Sequence, residues 1–255
     1  MTHLCAAIVE FAENVSRETL RLRDNGLTVT HKSDNSIVTN ADFAADRMIG
    51  QFLSALTPDI PIISEESPNL FPRQIHPKYW CVDPIDSTTD YARGGDYFSI
   101  NIGLIENGRP VLGVLAFPAF DEIYFGSKDM GAHKKNEAGT NPIHCRDTGT
   151  ELNIVVSSQS HGKIERVQPF IGNKTISSVK RYNGSIKFAM IADGRADFYP
   201  RFTNLSEWDI AAGDAIITAA GGSVKSIDGE PMLYGNSENY ECPHFVARGA
   251  PIPSL

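Results

Sequence analysis

Tyr79-Trp80-Cys81-Val82-Asp83-Pro84-Ile85-Asp86-Ser87-Thr88-Thr89-Asp90-Tyr91 is the stretch on which both the fold and the chemistry of this chain turn. Its β-forming start reads as a strand that delivers Asp83 at its end. Pro84 has no amide for a sheet ladder, so the strand is expected to stop at Asp83. Asp86 follows in the same turn, and Ser87 and Thr88 leave several backbone N–H groups free. Two carboxylates this close repel each other unless one is protonated or a cation lies between them. Hard oxygen ligands of this kind suit Mg²⁺. The same letters also make an ordinary Asp-Pro-Ser turn with solvated acids, and the stretch by itself leaves both readings open.

The rest of the chain narrows the choice. At 255 residues it is long enough for one large domain or two smaller ones. Its net charge of −8 argues against a nucleic-acid polymer as partner, which would need a basic face. An anionic small molecule remains compatible, because a bound metal reverses the local field. Cys5, Cys81, Cys145 and Cys242 are far apart and form no C-x-x-C pair, which predicts reduced thiols and a cytoplasmic setting. The N-terminal apolar run lacks a basic lead and soon meets Glu10 and Glu13, so it does not read as a signal peptide. No stretch has the length of a membrane span. Zinc-type histidine pairs, Walker loops, G-x-G-x-x-G and G-x-S-x-G are all missing.

Working outward from Asp83, other elements also hand off to carboxylates. Upstream, the spacing of Leu4, Ile8, Phe11, Ala12 and Val15 predicts an amphipathic helix over 3–25, ended by Asn25-Gly26. The turn-like Lys32-Ser33-Asp34-Asn35-Ser36 precedes a second helix from Thr39-Asn40 to about Leu56, with Asp42 in its first turn and Asp46 on the same face. Ile60-Pro61-Ile62-Ile63 reads as a short buried strand ending at Glu65-Glu66, which in extended chain would point to opposite sides. Downstream, 97–106, 109–117 and 121–125 read as antiparallel strands, the first two joined by the hairpin signal Asn107-Gly108. The irregular stretch 138–151 suggests a division into an N-terminal α+β half, 1–145, and a C-terminal α/β half, 146–255. In the second half, strands at 152–156, 175–179 and 196–199 alternate with helices near 160–170 and 185–193. A last helix starts at Trp208-Asp209 and stops at Gly221-Gly222, its Ala211, Ala212, Gly213 and Ala215 small enough for close approach. Asp209 by itself reads as a helix cap.

Glu65, Asp83, Asp86 and Asp209 thus each stand at an element's end, where side chains can reach one crevice. Ile63-Ser-Glu-Glu-Ser, Asp83-Pro-Ile-Asp-Ser-Thr-Thr and Trp208-Asp-Ile-Ala-Ala-Gly resemble the three signature blocks of the inositol monophosphatase superfamily, in its order and over nearly the whole chain. The resemblance implies a layered αβαβα sandwich and a Mg²⁺-dependent, lithium-sensitive phosphatase. It implies that Glu65, Asp83 and the Ile85 carbonyl hold one ion, that Asp83, Asp86 and Asp209 hold a second, and that a third binds weakly near Glu65. By the same resemblance Glu65 and Thr88 orient and deprotonate the attacking water, and Asp42 matches an acidic position near it. Such chemistry is demanding, since phosphate-monoester hydrolysis needs accelerations up to about 10²¹. Ser87 and Thr88 amides would cradle phosphate oxygens as a helix start does.

Within the superfamily the chain is most similar to the bisphosphate nucleotidases that remove the 3′-phosphate of 3′-phosphoadenosine 5′-phosphate to give AMP. Lys32-Ser-Asp-Asn-Ser-Ile-Val-Thr39, Leu56-Thr-Pro-Asp59, Ile100-Asn-Ile-Gly-Leu-Ile105 and Tyr199-Pro-Arg-Phe202 carry that similarity. Arg201 stands where inositol phosphatases generally carry glutamate, and an arginine there suits a second phosphate. Gly184, Ser185 and Lys187 match the nucleotidase substrate side, and the expected partner is a small phosphorylated nucleotide bound by a monomer or homodimer. Three positions depart from the pattern. Ser87 replaces a glycine and is expected to be tolerated at negative φ; Asn183-Gly184-Ser185 is shorter than the usual Gly-Ser-Ser segment; Gln159 replaces a common arginine. The rivals are an inositol- or sugar-phosphate phosphatase of the same fold, and a catalytically silent module that binds phosphonucleotides.

Overall fold

In the computed structural model, which describes residues 2–32, 36–67, 76–158, 164–236 and 239–249, the N-terminal apolar stripe forms α1 (Thr2–Asp24), burying Cys5, Ile8, Ala12 and Val15. A small hairpin, β1 (Val29–His31) with β2 (Ile37–Thr39), leads into α2 (Asn40–Leu56). Of the two cap candidates, Thr39 or Asn40, it is Thr39 that caps α2, in a reciprocal box with Asp42. The middle of the turn at 32–36 lies outside the described residues, as does Gln159.

A seven-stranded sheet follows, in the order β3-β4-β5-β6-β7-β8-β9. Its strands are β3 (Ile62–Ser64), β4 (Lys78–Asp86), β5 (Ser99–Glu106), β6 (Arg109–Phe117), β7 (Glu122–Ser127), β8 (Gly131–Asn136) and β9 (Gly139–Ile143). Only β3 and β4 run parallel; the other pairings are antiparallel. Asn107 and Gly108 adopt φ of 52° and 72°, and Glu106 pairs with Arg109, so the Asn-Gly hairpin forms as its sequence predicts. β9 takes up part of the stretch that composition alone reads as irregular.

The strand expected to end at Asp83 instead continues through Pro84 to Asp86. β3 reaches only to Val82, and β5 pairs with Asp83 and Asp86 but skips the two residues between. Pro84 therefore sits in a bulge where no neighbour requires its missing amide. The bulge also turns Asp83 and Asp86 away from the regular strand alternation.

The second sheet has the order β11-β10-β12-β16-β14. It comprises β10 (Glu151–Ser157), β11 (Thr175–Tyr182), β12 (Phe198–Arg201), β14 (Ser223–Ser226) and β16 (Phe245–Arg248), with a separate two-strand pair of β13 (Leu205–Ser206) and β15 (Glu241–Cys242). The short α3 (Thr88–Ala92) follows β4, and α4 (Gln168–Ile171), α5 (Ile186–Ala192) and α6 (Glu207–Ala219) lie in the second half. The helix read near 160–170 is, over its described part, a 3₁₀ turn at 164–167 followed by the one turn of α4.

Three apolar clusters define the layers. One joins α1 and α2 to one face of the large sheet, through residues such as Ile8, Leu53, Trp80 and Val114. A second lies between the two sheets, around α5 and α6, with Tyr79, Leu115, Phe188, Ile216, Tyr199 and Phe245. The third backs the outer face of the second sheet with α4. The order is αβαβα, the layering that the signature blocks imply. All four cysteines are free and buried. Among the described residues no helix is long and apolar enough to cross a membrane.

The small residues of α6 act as the sequence suggests. α6 lies across β4, β5, β6 and β7. Gly103 and Gly113, paired across β5 and β6, lie under Ala211 and Ala212. A Cβ at Gly113 would stand 2.2 Å from the Ala212 carbonyl oxygen. That overlap involves backbone on both sides, so only a helix displacement relieves it. Gly113→Ala is expected to destabilise by about 3 kcal/mol, the upper end of ordinary overpacking, and to lower Tm by roughly 6–12 °C. Thermal unfolding followed by circular dichroism checks it; a change under about 2 °C would mean that α6 rests on the sheet less closely.

Candidate active site

The fold brings the ends of β3, β4 and α6 to one cleft of about 420 Å³. One carboxylate oxygen each from Glu65, Asp83 and Asp209 lie within 4.8 Å of one another. Asp83 is the deepest, 1% exposed, with one oxygen accepting from the Ile85 amide at 3.1 Å across the proline bulge. Asp209 is the third residue of α6 rather than its cap; Ser206 is the cap, and the Ser206 amide donates to Asp209 at 2.7 Å. Glu65 lies in the turn after β3, its amide held by the Val82 carbonyl at 3.1 Å. Glu65 and Glu66 do not diverge as an extended strand would demand. The turn lets both reach Lys32 Nζ, at 2.9 and 2.8 Å, while only Glu65 joins the cluster.

Electrostatics make this cluster a candidate cation site. Burial, and then the charges of Glu65, Asp86 and Asp209, push the Asp83 carboxyl well above the usual range. Burial, followed by Asp86 and Glu65, raises Asp209 to about 8. Glu65 is raised by burial and by Asp86 and Asp42, against the opposing pull of Lys32. Carboxylates arranged to repel one another in a dry pocket fit a divalent cation with oxygen ligands. The residues present therefore suit the Mg²⁺-type group that the signature blocks imply.

Asp86 faces the same cleft from the other side of the bulge. Ser185 Oγ donates to it at 2.6 Å, and Asn101 Nδ2 supports Ser185 at 3.1 Å. Thr88 Oγ1 lies 3.0 Å from both Asp42 Oδ1 and the Ile85 carbonyl oxygen. Its single proton goes to one of them at a time. Asp42, 1% exposed, also accepts from the Thr39 amide at 2.8 Å and the Thr39 hydroxyl at 2.6 Å. Burial raises its pKa despite these donors.

Ser87 departs from expectation. Its φ is +69°, in the left-handed region, not the negative value that would make serine easy there. The reversal falls where β4 hands over to α3. Its hydroxyl gains little, standing 3.5 Å from Asp86. Ser87→Gly is expected to raise stability by about 0.5–1 kcal/mol, the left-handed penalty less glycine's extra freedom when unfolded, with turnover kept or increased. Denaturant titration and initial rates test this. A large loss of turnover would show that the hydroxyl has a task of its own.

Beside the cleft a smaller pocket of about 120 Å³ is lined by Gly184, Ser185, Lys187, Arg201, Tyr199 and Asp209. Lys187 is 3% exposed; its ammonium turns back onto the carbonyls of Gly184 and, at 3.2 Å, Tyr182, and lies 5.2 Å from the Tyr199 ring centre. Burial lowers its pKa to about 7. Arg201 sits at the end of β12 with one N–H 3.4 Å from the Thr203 carbonyl. Asn183 donates to Asp90 at 2.9 Å and meets Ser158 Oγ, bridging the two halves of the chain above the cleft.

Sequence reasoning assigned no role to Lys32, Ser99 or Asn101. Lys32 stands in a stretch whose composition says only surface turn, and the β1–β2 hairpin alone brings it to Glu65. Ser99 and Asn101 sit on β5 inside an apolar run, where alternation would have flagged two buried polar residues.

Comparison with known proteins is consistent with this geometry. The model of the inositol monophosphatase family matches residues 1–249. The chain is 35% identical over 242 residues to the 3′(2′),5′-bisphosphate nucleotidase CysQ of Escherichia coli O157:H7, covering 93% of this chain and 96% of that protein. Its structure resembles that of CysQ from Bacteroides thetaiotaomicron, a bacterial member of the inositol monophosphatase family, with a TM-score of 0.77, 27% identity and 97% of each chain covered. It also shares the fold of the inositol monophosphatase from Anabaena sp. PCC 7120, with a TM-score of 0.76 at 24% identity, covering 98% of this chain and 91% of that one.

Proposed function

From the premise that this chain belongs to the inositol monophosphatase family, we propose that it hydrolyses the 3′-phosphate of adenosine 3′,5′-bisphosphate, releasing AMP and inorganic phosphate. It is a phosphatase of the bisphosphate-nucleotidase type. The observation that carries the reading is the approach of Glu65, Asp83 and Asp209 within 4.8 Å, with the Thr88–Asp42 pair beside them.

Mg²⁺ held by Glu65, Asp83, Asp86, Asp209 and the Ile85 carbonyl would neutralise phosphate charge and favour loss of a proton from the attacking water. The chain's own residues do the remainder. The amides of Ser87 and Thr88, at the cap and first position of α3, are not needed by that helix and suit phosphate oxygens. Thr88 Oγ1 accepts the proton from the attacking water as its own passes to Asp42, 3.0 Å away and buried enough to hold it. Water oxygen bonds to phosphorus, the bond from phosphorus to the 3′-oxygen breaks, and that oxygen takes a proton to become the ribose hydroxyl. Arg201 supplies a guanidinium for the 5′-phosphate in the adjoining pocket, and Gly184 and Ser185 form its wall. Lys187 braces that wall through the carbonyls of Gly184 and Tyr182 and adds positive potential when protonated.

A phosphate-release panel with Mg²⁺ tests the proposal on 3′-phosphoadenosine 5′-phosphate, inositol 1-phosphate and fructose 1,6-bisphosphate. The nucleotide is expected to be preferred by at least about tenfold in kcat/KM, and Arg201→Glu to remove most of that preference, as loss of a charged hydrogen bond would. Equal rates on all three, or a preference untouched by Arg201→Glu, would refute the substrate assignment and leave the phosphatase standing.

A further inference from the structure

The five-stranded sheet has two unlike faces. Val155, Tyr199, Val224 and Ala247 point to the core between the sheets, while Leu152, Ile154, Phe198 and Val246 point outward. The outward face is covered near β10 by the 3₁₀ turn at 164–167 and by α4, which contributes Phe170 and Ile171. Towards β16 and β14 a cavity of about 710 Å³ remains, which shares no lining residue with the catalytic cleft.

Its lining divides into two chemistries. Leu152, Phe170, Phe198 and Val246 give an apolar floor and wall. Lys174, Lys225 and Arg248 give three cations in a chain whose net charge is −8. The one carboxylate in the lining, Asp197, is already occupied: Arg146 grips it at 2.6 and 2.5 Å, and the Asn153 amide donates to it at 2.6 Å. Arg248 lies with its guanidinium 5.3 Å from the Phe198 ring centre, and among the described residues no carboxylate pairs with it or with Lys225. Cross-strand register sets Phe198 opposite Arg248 and Arg248 opposite Ser223, so ring and cation share one row of the sheet. A neutral apolar ligand would strip water from unpaired cations, and a bare inorganic anion would leave the aromatic floor uncovered.

We propose that this cavity is a second binding site, for an amphipathic organic anion. Its aromatic or acyl body would cover Phe170, Phe198 and Leu152, and its phosphate, sulfonate or carboxylate would meet Arg248 and Lys225. The volume is that of a small-molecule site, and an arginine resting on an aromatic ring is already oriented for a planar anionic group.

The 255-residue chain titrated with 8-anilinonaphthalene-1-sulfonate, followed by fluorescence and calorimetry, tests it. One probe per chain is expected at this site. In R248Q/K225Q the dissociation constant should rise at least about tenfold, as expected for losing charge-assisted contacts. Uncharged N-phenyl-1-naphthylamine should bind the variant at least as tightly as wild type, because the cations it would desolvate are gone, and phosphate release should be unchanged. Absence of saturable binding, or equal affinity of the sulfonate for wild type and variant, would overturn the proposal. Displacement by decanoate identifies an acyl anion and displacement by AMP a nucleotide, and either result supports the site. R248Q and K225Q made singly keep the test valid should the double variant fold poorly.

Discussion

Asp83→Asn is expected to abolish metal-dependent phosphate release, with kcat/KM falling at least about a thousand-fold, several kcal/mol of transition-state stabilisation. Asp83 is the deepest member of the acidic cluster and the one whose neighbours include Glu65, Asp86 and Asp209 at once. An amide of the same shape keeps the contact with the Ile85 amide but removes the negative charge that the cation requires. The same change has the opposite effect on the metal-free protein. With no cation present the cluster is a set of buried like charges, and removing one relieves the others. Melting temperature in EDTA should therefore rise in the variant while activity disappears. Retained activity, or a variant less stable than wild type in EDTA, would sink the proposed site.

The pH dependence gives this prediction its sign. An unfolded aspartate titrates near 3.9. In the folded, metal-free chain Asp83 is raised well above that, and Asp209 is raised to about 8. The folded state then binds protons more tightly than the unfolded state between those limits. Stability from these groups is greatest at low pH and is lost as pH rises from about 4 towards 8. The stability gap between Asp83→Asn and wild type should widen over the same interval in EDTA and close or reverse with Mg²⁺. Binding of the ion should release protons, measurable in buffers of different ionisation enthalpy.

The parts of this molecule that a reader of the letters could see were those where one local rule decides. Asn107-Gly108 needed only the hairpin preference for positive φ, the cap at Thr39-Asn40 only the preference of helix starts for short polar side chains, and the small residues of α6 only steric reasoning. Glu65, Asp83, Asp86 and Asp209 were legible because the letters set each near an element's end, although β4 runs on past Asp83 to Asp86. What escaped depended on contacts distant in the chain. Pro84 is accommodated inside β4 because β3 stops short and β5 skips two residues, facts that belong to the neighbours. The left-handed Ser87 lies directly after that bulge, and the turn that sends both Glu65 and Glu66 to Lys32 lies beside the folded β1–β2 hairpin. Ser185 under Asp86 is a meeting of residues 99 apart.

Thr88→Val separates the handling of the proton from the holding of the ion. Valine matches threonine in shape, so α3 and the cleft should keep their form, but it has no hydroxyl to stand between water and Asp42. General acid–base assistance of this kind contributes roughly 10²–10⁴ in rate, and kcat is expected to fall by that factor. KM should change little, because the hydroxyl contacts Asp42 and Ile85 and the phosphate is held by amides that valine retains. Mg²⁺ titration should also match wild type, since Thr88 is not in the carboxylate cluster. Asp42 would lose one of its donors while staying buried, so its pKa should rise further and the acid limb of the rate profile should move to higher pH. Thr88→Ser, which keeps the hydroxyl, should recover most of the rate. A valine variant with kcat within about threefold of wild type would exclude Thr88 from the proton path, and the burden would fall on Glu65. In that case Lys32, which holds the Glu65 carboxylate at 2.9 Å, would have to release it before it could act as a base.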